Sequence, residues 1–156
     1  MNTRLFETRE SLTAALCSRR MDSSFENDLA ASVRAADTNL KLALLEAVLS
    51  SDRATTRALG LRVLRRTVSE HGVVDALLDQ CFRLRSYGEI ELWYESILAR
   101  YPLMRLVHRL RSGVIQKGDV DLSLLHIRAL QMWRAKSPML KRQALALLQN
   151  ELRNMT

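Results

Sequence analysis

The sequence has few residues of the kinds that build strands, disulfide frameworks or membrane spans. Its 156 residues include only 5 glycines, 2 prolines and 2 cysteines, and aromatic residues make up 5% of the chain. A protein with many strands and tight turns needs more glycine and proline, and no segment sustains the apolar–polar alternation of half-buried strands. The scarcity of aromatic residues requires a core built mainly from leucine, alanine and valine, which favours helices.

The cysteines indicate neither a metal site nor a disulfide framework, and the chain has no apolar run long enough to span a membrane. Cys17 and Cys81 belong to no CxxC pair and have no histidine at ligand spacing, which argues against a zinc site or a disulfide framework. We expect both to be buried as small apolar side chains. No run of about 18 apolar residues occurs, so no membrane insertion is predicted. The segment "MNTRLFETRE" lacks the apolar stretch of a secretory signal, so we expect an intracellular, cytoplasmic protein.

Motifs that carry chemistry are also missing. His71, His108 and His126 fall on separate predicted helices, and the chain has no serine elbow, glycine-rich phosphate loop or metal-ligand pattern. We therefore predict no enzymatic activity, no metal and no cofactor.

The chain does contain apolar residues at helical spacing between start and stop signals. Pro102 marks a boundary because proline lacks an N–H and disfavours helix at the residue before it, and Gly72 and Gly88 interrupt the middle. The predicted N-caps are Thr3, Ser23 in a capping box with Glu26, Asp37, Asp52, Asp121, and Ser137 followed by Pro138. These signals predict an all-α single domain over residues 1–156, with about eight to nine short antiparallel helices in a bundle or a short stack of helical hairpins.

One internal similarity lies within the last two thirds of the chain. The segments "ARYPLM" at 99–104 and "AKSPML" at 135–140 match in register, 36 positions apart. This spacing is close to that of a two-helix repeat such as the tetratricopeptide type, whose Trp, Leu-Gly and Tyr signature is absent here. Two helices that begin near a proline produce the same similarity by chance, so both interpretations stay open.

Positive charge is concentrated in the C-terminal third. Residues 1–99 are nearly neutral, with 13 Lys/Arg against 14 Asp/Glu, whereas residues 100–156 contain 11 Lys/Arg and 3 Asp/Glu and account for the net charge of +7. Arginine predominates, and its planar guanidinium suits phosphate. The candidate nucleic-acid contacts are Arg105, Arg109, Arg111, Arg128, Arg134, Lys136, Lys141 and Arg142. A solvated basic face, or a codon bias that enriches arginine, explains the same composition.

The segment "RYPLMRLVHRLRSG" at 100–113 is typical of an amphipathic helix and matches no nucleic-acid motif. At 100° per residue its leucines and valines form one stripe, and Arg105, Arg109 and Arg111 spread over the other side. Trp93, Tyr94 and Trp133 could stack on bases, but their helical spacing is more typical of core residues.

The predicted helix "LSLLHIRALQMWRA" has apolar residues on two sides. Leu125 and Ala129 lie on a wide apolar arc with His126, while Leu124 and Ile127 lie on the opposite side. One interpretation is a central helix buried on both faces, with a neutral, hydrogen-bonded His126. The other is that Leu124 and Ile127 form a surface for a partner or a second copy of the chain.

These observations lead to two hypotheses of function. The first is a non-enzymatic adaptor or chaperone-like protein that binds a partner protein segment, or self-associates, through an apolar helical surface. The alternative is an RNA- or DNA-binding accessory protein, for example of a viral RNA-binding or silencing-suppressor type, that uses the arginine-rich C-terminal third. The general composition is similar to that of helical-repeat chaperones of bacterial secretion systems and of basic accessory proteins of RNA viruses, without a motif for either.

Overall fold

The prediction of an all-α protein is confirmed. A computed structural model describes residues 5–156, and these contain nine α-helices, one 3-10 helix and no strand. The α-helices are α1 (Arg9–Ser18), α2 (Ser23–Ala35), α3 (Thr38–Leu49), α4 (Ala54–Thr67), α5 (His71–Phe82), α6 (Tyr87–Ile97), α7 (Leu103–Gly113), α8 (Val120–Met132) and α9 (Pro138–Met155), with the 3-10 helix at Ile115–Lys117.

The chain divides into two compact units, Met1–Leu77 (unit 1) and Leu78–Thr156 (unit 2), with the boundary inside α5. Each unit has its own packed helices and its own buried leucines. The expectation of a single domain over residues 1–156 stays a prediction.

Unit 1 is a stack of helices in which next-but-one neighbours touch. Helix α1 packs on α3 and α2 packs on α4, and consecutive helices α2, α3 and α4 also contact one another. This pattern is that of stacked helical hairpins. The close contact of α3 with α4 depends on Gly60, since a Cβ there would lie 2.8 Å from Cγ1 of Val48.

An ion pair between a buried lysine and an exposed glutamate joins the end of the α4–α5 connection to α3. Nζ of Lys41 donates to Oε1 of Glu70 over 2.6 Å, and Lys41 retains only 7% of its exposure. The hydrogen bond from Lys41 lowers the pKa of Glu70 below its usual value. Because Lys41 is buried and Glu70 is not, the pair fixes the connection to the helix at the cost of desolvating one cation.

Unit 2 repeats the same arrangement with α6 on α8 and α7 on α9. Helix α9 also contacts α8 and the 3-10 helix. The two similar segments of the sequence lie at the beginnings of α7 and α9, which pack against each other. A true internal repeat stays a prediction. The predicted apolar stripe of α7 is confirmed, because Leu106, Val107 and Leu110 are buried and its arginines are exposed.

Several helix starts differ from those predicted. Helix α1 has Thr8 as N-cap, in a capping box with Ser11, and the predicted cap Thr3 lies outside the described residues. Helix α2 begins at Ser23 itself, because the side chain of Asp22 accepts the N–H of Phe25. At α8 the cap is Asp119 instead of Asp121. Where two capping residues lie this close in sequence, either satisfies the N–H groups, and tertiary packing selects the start.

Other helix boundaries divide into correct and wrong predictions. Asp37 and Ser137 cap α3 and α9 as predicted, and Pro102 precedes α7. Asp52 does not cap α4, which begins after Arg53 without a side-chain cap. Neither middle glycine interrupts a helix. Gly72 and Gly88 are the second residues of α5 and α6, where exposed backbone tolerates glycine.

Candidate functional site

A groove of about 660 Å³ lies between α8 and the C-terminal half of α9 in unit 2. Four apolar side chains from the two helices line it beside five polar ones, and the described charged side chains among them are arginines. The lining residues are Val120, Leu124, Ile127, Arg128, Gln131, Gln149, Leu152, Arg153 and Thr156. We call this feature the α8–α9 groove.

The two residues predicted to form a partner surface both line the α8–α9 groove, but their exposure differs. Leu124 is 51% exposed, whereas Ile127 is only 3% exposed. Helices α6 and α9 both pack against α8, and the sequence of α8 alone could not indicate that Ile127 is buried. Leu124 is therefore the accessible apolar residue of this pair, and Ile127 belongs to the floor of the groove. Leu125, assigned to the core, is half-buried.

The charged side chains that line the groove are those of Arg128 and Arg153, and no Asp or Glu side chain of the described residues lines it. Cζ of Arg128 lies 5.6 Å from the centroid of the Tyr87 ring. A cation–π contact of this kind contributes about 0.5–1 kcal/mol at an exposed site and restrains the side chain. The groove thus combines an apolar floor with a positive rim.

The eight candidate nucleic-acid contacts differ in whether their side chains already interact with other residues of the chain. Arg111 pairs with Glu151 over 3.2 Å, and Cζ of Arg105 lies 6.0 Å from the Tyr101 ring centroid. Arg109 is exposed on α7 and also has an interaction partner. Arg128 belongs to the α8–α9 groove.

Lys141 has a structural role. Its Nζ donates to the backbone carbonyls of Gln131 and Trp133, the latter over 2.6 Å, and so satisfies acceptors at the C-terminus of α8. A lysine at the negative end of a helix dipole is also favourable electrostatically. The ammonium group of Lys141 is therefore engaged within the chain. Arg134, Lys136 and Arg142 are the exposed candidate cations at the α8–α9 connection and the start of α9.

The prediction of a buried, hydrogen-bonded His126 is confirmed. His126 is fully buried, and its Nδ1 lies 2.6 Å from the hydroxyl of Tyr94, which is also fully buried. Burial lowers the pKa of His126 to about 4, although the backbone of Phe82 and Leu84 favours a proton on the ring. No group reaches hydrogen-bonding geometry with Nε2. The ring is neutral at ordinary pH and has no accessible proton to transfer, so it does not point to catalysis.

Other candidate chemical groups are separated or inert. Cys81 is buried as predicted, and burial raises the pKa of its thiol, but Cys17 is exposed and its predicted burial is wrong. The short α1 buries Leu12 and leaves Cys17 on its outer side.

Over residues 5–156 no three His, Cys, Asp or Glu side chains are arranged to hold a metal ion. In the same part of the chain, no helix is long and apolar enough to cross a membrane.

Sequence reasoning missed the half of the groove that comes from α9. Gln149, Leu152 and Arg153 follow at helical spacing on one side of that helix, which is a usable signal for a shared face. The pairing of this face with α8 is long-range information that the pattern does not contain.

Comparison with protein-family models, with curated proteins and with solved structures gave no match to the chain.

Proposed function

We propose that the chain is a non-enzymatic binding protein whose α8–α9 groove holds an acidic, amphipathic segment of a partner protein. The observation that carries this proposal is the combination of an apolar floor, with Leu124 51% exposed, and a rim that carries arginine. Adaptors and chaperones commonly hold such a segment as a helix whose apolar residues at positions i, i+3 or i+4, and i+7 enter a groove.

Charge favours an acidic partner over a second copy of this chain. In a two-fold symmetric dimer the same patch meets itself, so Arg128 and Arg153 of each copy would approach those of the other. Like charges at close range oppose such an interface. Carboxylates on either side of an apolar stripe would instead pair with the arginines, while the chain's net charge of +7 would accelerate the encounter.

A second candidate function is nucleic-acid binding by the basic cluster, defined as Arg134, Lys136 and Arg142. All three side chains are exposed, and no described carboxylate pairs with them. Cations without an intramolecular partner can displace the counterions of a phosphate backbone. This cluster supports the alternative better than Arg111 and Lys141, which already have partners within the chain.

The proposal can be tested by selecting binders from a random-peptide display library. Peptides enriched on the wild-type protein should have apolar residues at helical spacing together with Asp or Glu. Leu124→Glu should weaken their binding by at least about tenfold, because it places a charge in the apolar floor, a cost of about 1.4 kcal/mol or more. Arg128→Gln should reduce the preference for acidic peptides.

Leu92→Glu is a matched control, because Leu92 is 45% exposed on α6 and does not line the groove. It should leave peptide binding unchanged. Enrichment of basic peptides, or equal loss of binding in both leucine variants, would contradict the proposal. Size-exclusion chromatography with light scattering and absorbance at 260 and 280 nm would separately reveal self-association or bound nucleic acid.

A further inference from the structure

A second concave surface of unit 2 concentrates positive charge away from the α8–α9 groove. It is a cleft of about 420 Å³ bounded by the end of α5, the α5–α6 connection, the 3-10 helix and the start of α8. Its lining residues are Asp79, Phe82, Arg83, Arg85, Gly113, Lys117 and Leu122. We call it the cationic cleft. Among these side chains, cations outnumber carboxylates by three to one.

Contacts within the chain orient two of the three cations. Nε of Arg83 donates to the backbone carbonyl of Asp79 over 3.2 Å, which engages one of the five N–H donors of the guanidinium. Nη2 of Arg85 donates to Oδ2 of Asp119. The other oxygen of Asp119 accepts the N–H of Leu122 over 3.0 Å and caps α8. Both arginines are thus held at the cleft before any ligand arrives, which reduces the entropy lost on binding.

The ammonium group of the third cation, Lys117, has no hydrogen-bond or ion-pair partner among the described residues. Lys117 ends the 3-10 helix and precedes Gly118, whose positive φ of 85° is the left-handed conformation that glycine adopts without strain. This turn brings the chain from Lys117 directly to Asp119, the partner of Arg85. Lys117 and Arg85 therefore reach the same cleft from segments that are distant in sequence.

The floor of the cationic cleft is apolar. Phe82 is only 6% exposed, and its ring packs edge-on against His126 with centroids 5.9 Å apart. A Cβ at position 113 would lie 2.8 Å from Cδ2 of Phe82, so glycine permits α7 to approach this ring. Leu122 supplies the other apolar side chain. A ligand with an anionic group and an apolar body matches this combination of rim and floor.

We propose that the cationic cleft binds the phosphate of a small phosphorylated ligand. Arg83 and Lys117 form no ion pair with a described residue, Arg85 keeps N–H donors beyond the one that meets Asp119, and arginine forks match phosphate oxygens in geometry. The volume of about 420 Å³ suits a ligand of nucleotide size. This proposal is independent of the α8–α9 groove, because the two surfaces share no lining residue.

The test is an amide NMR titration of the full chain with inorganic phosphate, adenosine monophosphate and adenosine. Both phosphates should shift resonances around Phe82, Arg83 and Lys117, and adenosine should not. Tighter binding of the monophosphate than of inorganic phosphate would show that the organic part also contacts the floor. Equal affinities would assign the site to inorganic phosphate alone, which keeps the phosphate site and removes the organic ligand from the proposal.

Variants separate the cleft from general charge. Arg83→Gln with Lys117→Gln should weaken phosphate binding by at least about tenfold, since it removes two positive charges and their charge-assisted hydrogen bonds from the cleft. Asp79→Asn should strengthen binding several-fold, because it removes the carboxylate that repels the ligand. Arg134→Gln with Lys136→Gln removes equal charge outside the cleft and should change affinity less than twofold. Circular dichroism would verify that each variant is folded.

Three results would overturn the proposal. They are the absence of localised shifts at millimolar phosphate, binding of adenosine as tight as that of its monophosphate, and equal weakening by the cleft pair and the control pair. None of these results bears on peptide binding by the α8–α9 groove, so failure of one proposal can be distinguished from failure of the other.

Discussion

The hydroxyl of Tyr94 on α6 lies 2.6 Å from Nδ1 of His126 on α8, and both side chains are fully buried. One of the two groups donates the hydrogen bond and the other accepts it, and both are neutral because burial lowers the pKa of His126 to about 4 and raises that of Tyr94. Neutral partners suit this interior because neither has to be desolvated as an ion. The same arrangement makes unit 2 sensitive to acid.

Stability is expected to fall between about pH 6.5 and pH 4 because of His126. Burial lowers its folded-state pKa from 6.5 to about 4, so the unfolded chain takes up the proton first as the pH falls. The contribution of neutral His126 to the free energy of unfolding is complete above about pH 6.5 and is lost as the pH approaches 4. The change in the free energy of unfolding over this range is about 3 kcal/mol. Denaturant unfolding measured at several pH values would detect it.

The matched comparison for this prediction uses His126→Gln and His108→Gln. The first variant should lose the pH dependence above pH 4.5, whereas the second replaces an exposed histidine and should retain it. The lowered pKa values of Glu70, Asp119 and Glu151 affect stability only at lower pH, below their ordinary values of 3.8–4.5. An unchanged pH profile in His126→Gln would refute the assignment.

Gly60→Ala should destabilise unit 1, although alanine is the better helix former. The new Cβ would lie 2.8 Å from Cγ1 of Val48, and β-branched valine has little rotamer freedom to move away. Overpacking of about 1–3 kcal/mol should exceed the gain in helix propensity of about 1 kcal/mol. Gly72→Ala meets nothing within 4 Å and should be neutral or stabilising. Thermal unfolding of both variants would reveal opposite signs, and equal effects would argue against close α3–α4 contact.

Leu124 and Ile127 should respond differently to serine. Ile127→Ser is expected to reduce the free energy of unfolding by about 2–5 kcal/mol, because it removes a buried side chain and introduces a hydroxyl. Leu124→Ser should change it by less than about 0.5 kcal/mol, since Leu124 is largely exposed. Chemical denaturation of the two single variants measures this directly. A similar loss in both would mean that Leu124 is covered and that the α8–α9 groove is closed.

If the chain binds nucleic acid, the basic cluster should determine the salt dependence of binding. Replacing Arg134, Lys136 and Arg142 by glutamine should reduce the slope of log K against log salt by about two units on single-stranded RNA. Replacing Arg105, Arg109 and Arg111 should have a smaller effect, because Arg111 already pairs with Glu151. Fluorescence anisotropy titrations from low to moderate salt would measure both slopes. Identical slopes for wild type and both variants would exclude these residues from phosphate contact.

The helical class of this protein and several helix boundaries follow from local sequence signals. Helix caps act on N–H groups three residues away, so Asp37 and Ser137 could be recognised without knowledge of the fold. Pro102 could be recognised because proline disfavours helix at the residue before it. The stripe of α7 is equally local, because helical periodicity alone places its leucines on one side. Where two capping residues were adjacent, as at Asp22 and Ser23, local signals could not distinguish them, and the start was misplaced by one residue.

Which helix faces are buried, and which charged side chains lack an ion-pair partner, depends on the tertiary structure. The sequence of α8 has apolar residues on two sides, and only the packing of other helices on α8 makes Ile127 part of the floor while Leu124 stays exposed. Arg111 meets Glu151 across 40 positions of sequence, and Arg83 and Lys117 reach one cleft from different segments. Such pairings depend on the packing of helices that are distant in the chain, and periodicity within one helix carries no information about its neighbours.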